Sequence, residues 1–298
     1  MTRVALVGLG EVGRILAEDF RSAGIGVAAW DTAFADPRSR ASRNATELGL
    51  SPSDSAPAAV AGADLVVSAV TAAQCVVAAE AVAVGIDPSA WFFDLNSSSP
   101  GHKNAAAQAI GAGGGRYVEA ALMSPIAPRR LGSPFLLGGP HAAAFAQDAE
   151  AFSFTDVTVV SDSVGRAAAT KLCRSVIVKG LESLLTESLL AARTYGVERD
   201  VLDSLSNILP PADWDAVAQY FIARSLQHGR RRSEEMEEAV AAVAEAGVEP
   251  LMSRAIVTRQ AWAAQFPGAA NAGSTLGMVD AVLHAMKENG DVPKEPTP

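Results

Sequence analysis

The chain has 298 residues, 49% hydrophobic and 19% charged, which is room for two domains and a large core of ordinary globular make-up. Its formal net charge of -9 and pI near 5.0 argue against nucleic acid as a partner, because neutralising phosphates takes clustered Lys and Arg. Two cysteines, Cys75 and Cys173, stand far apart, so no disulfide staple is expected and a reducing compartment, the cytoplasm, fits best.

Residues 3–8, RVALVG, read as a short buried strand, so no targeting segment is expected ahead of it. No apolar run reaches the roughly 18 residues that a membrane span needs. GLGEVG follows the strand at once: Gly8, Gly10, then Glu11 and Val12 opening a helix, then Gly13. The helical pattern RILAEDFRSAG leads to a second strand, GVAAWD, ending in Asp31. Strand, G-x-G-x-x-G, helix, strand and acid within about thirty residues form a dinucleotide-binding arrangement with a physical basis. Gly8 permits the tight turn, Gly10 lets the backbone approach a pyrophosphate, and Gly13 lets the helix pack close on the strand. The helix N-terminus offers unpaired N–H groups and a positive dipole end to the phosphates. Asp31 would accept hydrogen bonds from both ribose hydroxyls and repel a 2′-phosphate, which predicts NAD. Arg38 and Arg40 keep NADP open as the lesser alternative.

Further buried-strand signals fall at 63–70, 91–96, 114–122, 133–139 and 155–161, with alanine-rich helical segments between the earlier ones. This alternation predicts an α/β fold: a Rossmann-type, doubly wound, mostly parallel sheet over residues 1–162. Loops leaving the carboxyl ends of its strands should line the cofactor crevice, which brings forward Val70 and Thr71 in 70–73 and Asn96 and Ser97 in 96–99.

From Ser163 the strand signals stop. Residues 163–193 read as one long helix, because Leu172, Val176, Leu184, Leu185, Leu189 and Leu190 recur at three- and four-residue spacing without a proline. Gly165 stands at its entry and Gly196 at its exit. At 1.5 Å per residue it would run about 40 Å, long enough to be a spine between two domains. Cys173, within it, reads as core packing. Helices are expected at 198–208, 212–226, 230–246, 249–265 and 274–288, with Pro210 and Pro211 in the first turn of one and Gly247 at the end of another. Residues 163–298 thus read as an all-helical domain for substrate binding and dimerisation. The basic run GRRRSEEMEE, 229–238, reads as a solvated helix face, and the proline-rich tail DVPKEPTP as frayed.

The order of these pieces resembles the β-hydroxyacid dehydrogenase family, which includes 3-hydroxyisobutyrate and 6-phosphogluconate dehydrogenases. The likeness covers nearly the whole chain. GLGEVG at 8–13 is similar to the family's GLGxMG, DLNSSSP at 94–100 to its D-x-[ST]-[ST]-x-x-P, and VGRAAATKLCRS at 164–175 to its G-x-G-x-x-x-K-x-x-x-N. HGRRRSEEMEE, 228–238, resembles a branch with a divergent, phosphogluconate-dehydrogenase-like C-terminal domain. The resemblance places the catalytic lysine on Lys171 and implies a homodimer built through the helices. The chain departs from the pattern at several points. Asn96 replaces a hydroxyl, Ala167 a glycine and Ser175 the asparagine one turn after the lysine. Met123, Ser124 and Pro125 replace a Ser-Gly-Gly whose N–H groups hold a substrate carboxylate in the family, and Pro125 and Pro128 have no N–H to give. Glu234, Glu235 and Met236 stand where the family has Lys-Asp-Leu, and Arg231 or Arg232 could substitute for that lysine.

The resulting expectation is reversible hydride transfer between nicotinamide and the carbinol carbon of a small hydroxy acid or related alcohol. Lys171 acts as general acid/base in a crevice between two domains, which lowers its pKa. Ser175 could hydrogen-bond substrate or Lys171. Asn96, Ser97 and Ser124 could orient substrate groups, and Arg174 or Arg129 could pair with an anion. Against each stands a plainer reading. Most helical lysines are solvated, Lys179 is structural or substrate-facing, Arg129 and Arg130 are ordinary loop surface, and Asn96 and Ser97 to Ser99 could cap the next helix. The four histidines lack metal-ligand spacing, so no metal is expected. Two alternatives stay open: an imine reductase on the same architecture, and a non-catalytic dinucleotide-binding protein.

Overall fold

The structure is a computed structural model that describes residues 2–205 and 213–289. The chain divides into two compact units, Met1–Leu172 and Cys173–Pro298, and the division falls inside the long helix expected at 163–193.

The first unit alternates strands and helices: β1 (Arg3–Val7), α1 (Glu11–Ser22), β2 (Gly26–Trp30), α2 (Arg40–Leu48), α3 (Ala56–Val60), β3 (Leu65–Ser68), α4 (Cys75–Ala83), β4 (Trp91–Asp94), α5 (Pro100–Ala112), β5 (Arg116–Leu122), β6 (Phe135–Gly138), α6 (Ala142–Asp148) and β7 (Val157–Val159). The strands form one sheet in the order β2-β1-β3-β4-β5-β6-β7, parallel throughout except where β6 runs against β5. Every residue of β3 and β4 is buried, the pattern of strands covered on both faces. Successive side chains therefore feed two cores. Phe93 packs with Phe135, Phe145 and Phe154 at centroid distances of 4.8 to 5.8 Å on one face. Phe92 stacks on Tyr117 on the other, beside Val66, Val82 and Ile110. The strands are shorter than the apolar runs that announced them, because the flanking residues turn into loops.

The expected spine is α7 (Arg166–Tyr195), bounded by Gly165 and Gly196, both at positive φ. It is followed by α8 (Glu198–Leu205), α9 (Trp214–Glu245), α10 (Leu251–Ala263) and α11 (Thr275–Glu288). Leu185, Leu189, Leu202, Ile222, Leu226, Met278 and Val282 form the core of the second unit. Three expectations need correction. Residues 214–245 form one helix, not two, and Gly229 sits inside it. A Cβ there would stand 2.5 Å from the Gln260 carbonyl oxygen, so this glycine serves a tight crossing of α9 over α10 rather than a helix end. Leu184 is 57% exposed although it belonged to the expected buried stripe, and Cys173 is exposed rather than packed. A helix apolar on several sides gives periodicity no single face to choose. Gly247, at φ +76, ends α9 as expected. Pro210, Pro211 and the C-terminal tail lie outside the described residues.

Candidate functional site

Chain order reverses direction across the sheet between β1 and β3, the topological switch point, and loops at the carboxyl ends of these strands meet there. Gly8, at φ +97, leaves β1 with its N–H donated to the Trp30 carbonyl at 2.9 Å. A Cβ on Gly8 would come within 2.5 Å of the Ala69 carbonyl oxygen, and one on Gly13 would run into the carbonyl of Gly8. At Gly10 the Cβ position has nothing within 4 Å. Two glycines are thus required by the protein's own packing. The third faces open space in front of the α1 N-terminus, a cradle that fits a pyrophosphate. Asn44, on α2, holds the turn from behind: its amide nitrogen donates to the carbonyls of Leu9 at 2.8 Å and Gly10 at 3.2 Å.

Asp31, at the end of β2, accepts from Leu9 N through Oδ2 and from Ala33 N through Oδ1, each at 2.8 Å. Each oxygen keeps a lone pair for a ribose hydroxyl. Glu11 and Thr71 are exposed, and Val12 and Val70 are half-buried around the same loops. Arg38 pairs with Asp36 at 3.5 Å, and Arg40 approaches Glu11 at 3.9 Å.

Asn96 links the β3 and β4 loops. Its Oδ1 accepts from Val70 N at 2.8 Å, and its Nδ2 donates to Ser68 Oγ at 2.9 Å. The side chain is 4% exposed, so what Asn96 displays here is a staple. The helix cap after this loop is Ser99, which accepts from His102 N with Pro100 in the first helical turn. Ser97 is half-buried, and the Lys171 amine donates to its Oγ at 2.6 Å. Lys171 is half-buried on α7, and its amine meets the loop at the carboxyl end of β4.

Beneath that loop lies a buried ion pair. Asp94 and Lys103 are each 1% exposed and meet at 2.8 Å. Asp94 also accepts from Asn96 N at 3.0 Å, Tyr117 OH at 2.8 Å and Cys75 Sγ at 3.4 Å. Burial, then the Asp94 charge, pushes the Cys75 thiol up to about 11 and the Tyr117 hydroxyl well above its ordinary value, so both remain donors. A second buried carboxylate, Glu119 on β5, accepts from Gly165 N and Ala168 N, both at 2.7 Å. Neither Glu119 nor Lys103 stood out in the sequence, though an acid inside the apolar run RYVEAAL was a usable signal.

The loop after β5 is built differently from the resemblance. Ser124 turns its hydroxyl onto the Pro125 carbonyl at 3.1 Å. Arg130, read above as loop surface, is a clamp: it reaches Asp19 at 2.6 Å, Glu18 at 2.8 Å and the Ile15 carbonyl at 3.0 Å, all on α1. Arg129 is exposed, 3.8 Å from Asp156.

In the second unit, Ser175 accepts from Lys179 Nζ at 3.3 Å, and Lys179 pairs with Glu235 at 3.0 Å. Arg232 is buried rather than solvated. One of its terminal nitrogens stands 2.9 Å from Glu182 Oε1, out of line for a hydrogen bond, while Gln260 donates to Oε2 at 3.1 Å. Burial, opposed by Arg232 and Lys179, raises the Glu182 carboxyl to about 7. Among the described residues there is no His, Cys, Asp and Glu group that could hold a metal, and no helix is long and apolar enough to cross a membrane.

Residues 3–154 match the NAD binding domain of 6-phosphogluconate dehydrogenase, and residues 192–263 match a domain of unknown function, DUF1932. Among curated proteins none matches. A conserved hypothetical protein from Sinorhizobium meliloti 1021 is 34% identical, with a TM-score of 0.75 over 95% of this chain and 96% of that one. Mycobacterium tuberculosis 3-hydroxyisobutyrate dehydrogenase, solved with L-serine, shares the fold at 18% identity and a TM-score of 0.72, covering 95% and 99% of the two chains. A Streptomyces aurantiacus imine reductase shares it at 17% identity and 0.53, over 95% and 99%. The glycine cradle and the matched nucleotide-binding domain make this an NAD(P)-dependent oxidoreductase. The chain belongs to the β-hydroxyacid dehydrogenase family, in a form with a helical C-terminal domain.

Proposed function

We propose that the protein transfers a hydride between nicotinamide and the carbinol carbon of a small hydroxy acid or related alcohol, with Lys171 as general acid/base and NAD as the preferred cofactor. The bound nicotinamide supplies the hydride chemistry. The observation that carries the reading is the 2.6 Å contact from the Lys171 amine to Ser97 Oγ, on the carboxyl edge where the β1, β3 and β4 loops gather. An amine donating to Ser97 leaves the serine proton free to orient a substrate oxygen. In its neutral form the amine can take the alcohol proton, and as an ammonium it can return it. Asp31 supports NAD, because a second anion beside its carboxylate is repelled. Ser175, one turn after Lys171, and Ser124 are proposed to complete substrate binding, and residues 1–162 and 163–298 to be the nucleotide-binding and substrate domains.

An imine reductase is the second reading, favoured by Ser175 in place of the family's asparagine and by the shared fold of the Streptomyces enzyme. The test is NAD(P)H production or consumption over a panel of hydroxy acids, aldehydes and cyclic imines. Turnover of a hydroxy acid or aldehyde supports the first reading, and turnover of cyclic imines alone supports the second. Tight NADH binding with no turnover would overturn both in favour of a binding protein. A homodimer is proposed as well. Ile177, Leu184 and Tyr195 are 67%, 57% and 78% exposed, and their spacing places them on one side of α7, an apolar stripe that a second copy would cover. Light scattering that finds a monomer at micromolar concentration would remove that part.

A further inference from the structure

Glu119 is fully buried in the middle of β5, and its carboxylate accepts from two backbone N–H groups at the start of α7. Two glycines make this possible. A Cβ on Gly138 of β6 would run into Glu119 Oε2, and Gly165 presents its N–H from a φ of +103. The positive end of a helix dipole suits a buried carboxylate, and each bond satisfies a donor that the first turn would otherwise leave open. Ala168 and Lys171 are three residues apart on α7, so that anchored amide and the lysine lie about 60° apart around the helix, and the Gly165 amide fixes the turn that leads into it. A single bond would let the first turn rotate about its own contact; two bonds from the two oxygens of one rigid carboxylate fix rotation and height together. A slip of one residue would turn the lysine by about 100° and carry it off Ser97.

We propose that Glu119 is a positioning residue for the reaction: by bridging Gly165 N and Ala168 N it fixes the first turns of α7, and so holds the Lys171 amine on Ser97. The inference rests on Lys171 being the acid/base group. Its test needs no substrate. Wild type, Glu119→Gln and Glu119→Asp are exposed to trinitrobenzenesulfonate from pH 6 to 10, and modification of Lys171 is followed by peptide mass spectrometry. Lys287 serves as an exposed control. A glutamine must turn an N–H toward one of the two amides. Glu119→Gln therefore speeds Lys171 labelling by about fivefold or more and moves its midpoint pH, while Lys287 labelling and NADH affinity stay within about twofold. Glu119→Asp, charged but one methylene short, falls between. A folded Glu119→Gln protein with wild-type Lys171 labelling overturns the proposal, and so does equal acceleration of both lysines, which signals general loosening. Should the variants fail to fold, hydrogen exchange in wild type decides: the Gly165 and Ala168 amides are protected about a hundredfold or more, and free exchange at either overturns the bridge. Failure of the reaction itself reads out separately, as unchanged turnover in Lys171→Ala.

Discussion

Asp94 and Glu119 in the first unit and Glu182 in the second are buried in opposite ways. In the first, each oxygen of Asp94, Glu119 and Asp31 accepts at least one donor, and the donors come from other strands, loops or helices. Asp94 and Glu119, the two that are buried, act as pins within the sheet, and burial costs them little because each of their oxygens has a donor. In the second unit, Glu182 meets Arg232 out of line, and Arg224 Nε, Arg232 Nε and Trp214 Nε1 are buried without partners. There burial outweighs pairing: it raises the Glu182 carboxyl to about 7 and lowers Arg232 below its usual value. Buried charge fixes geometry where backbone donors saturate it, and becomes a pH-sensitive element where they do not.

The contrast can be broken most severely at its glycines. Gly13→Ala should cost about 3 kcal/mol or more of stability in urea titration, since its methyl overlaps the Gly8 carbonyl, and Gly229→Ala should cost about 2 kcal/mol for the α9–α10 crossing. Wild-type stability in either variant would mean that these backbones yield. The next effect is on pH. The Glu182 carboxyl titrates near 7 when folded, against 4.5 ordinarily, so between those values the folded chain keeps a proton that the unfolded chain has lost. Its contribution is complete below about pH 4.5 and lost as pH rises through 7, a fall of about 3 kcal/mol that Glu182→Gln should lack. Parallel stability curves for the two proteins from pH 4.5 to 7.5 would sink the assignment. Gly10→Ala acts on the first unit alone: with open space around its Cβ it should leave the melting temperature unchanged yet weaken NADH binding about tenfold. Equal binding by fluorescence titration would place the pyrophosphate elsewhere. The smallest effect concerns Asp31→Ala, which should reduce the preference for NAD over NADP about fivefold, and an unchanged ratio would show that preference has another cause.

The first unit was readable in sequence where its chemistry is local. Gly8 to Asp31 is a continuous stretch whose spacing encodes turn, helix and acid, and Gly165 and Gly196 bracket α7 as their conformations require. Lys171 was singled out only through the resemblance and Ser97 through its place after a strand, and their mutual contact, 74 residues apart, had no local signal. The pins were not legible. Glu119 finds its amides 46 and 49 residues away, and Arg130 reaches α1 across more than a hundred, so no window of sequence contains both partners. In the second unit the local rules misled. Gly229 falls between two expected helices, but the approach of α10 decided its use. The arginine run read as a solvated face, yet Arg232 points inward to Glu182. Helix propensity and charge patterning describe a helix alone, and here its neighbours determined which side was buried.

The proposed reaction turns on the amine that rests on Ser97. The decisive measurement is kcat/KM of Lys171→Ala against wild type, with whichever hydroxy acid or aldehyde the wild type turns over best. The predicted result is a loss of about a hundredfold or more at unchanged NADH affinity, the size of one general acid/base group. Equal kcat/KM in the two proteins would contradict it.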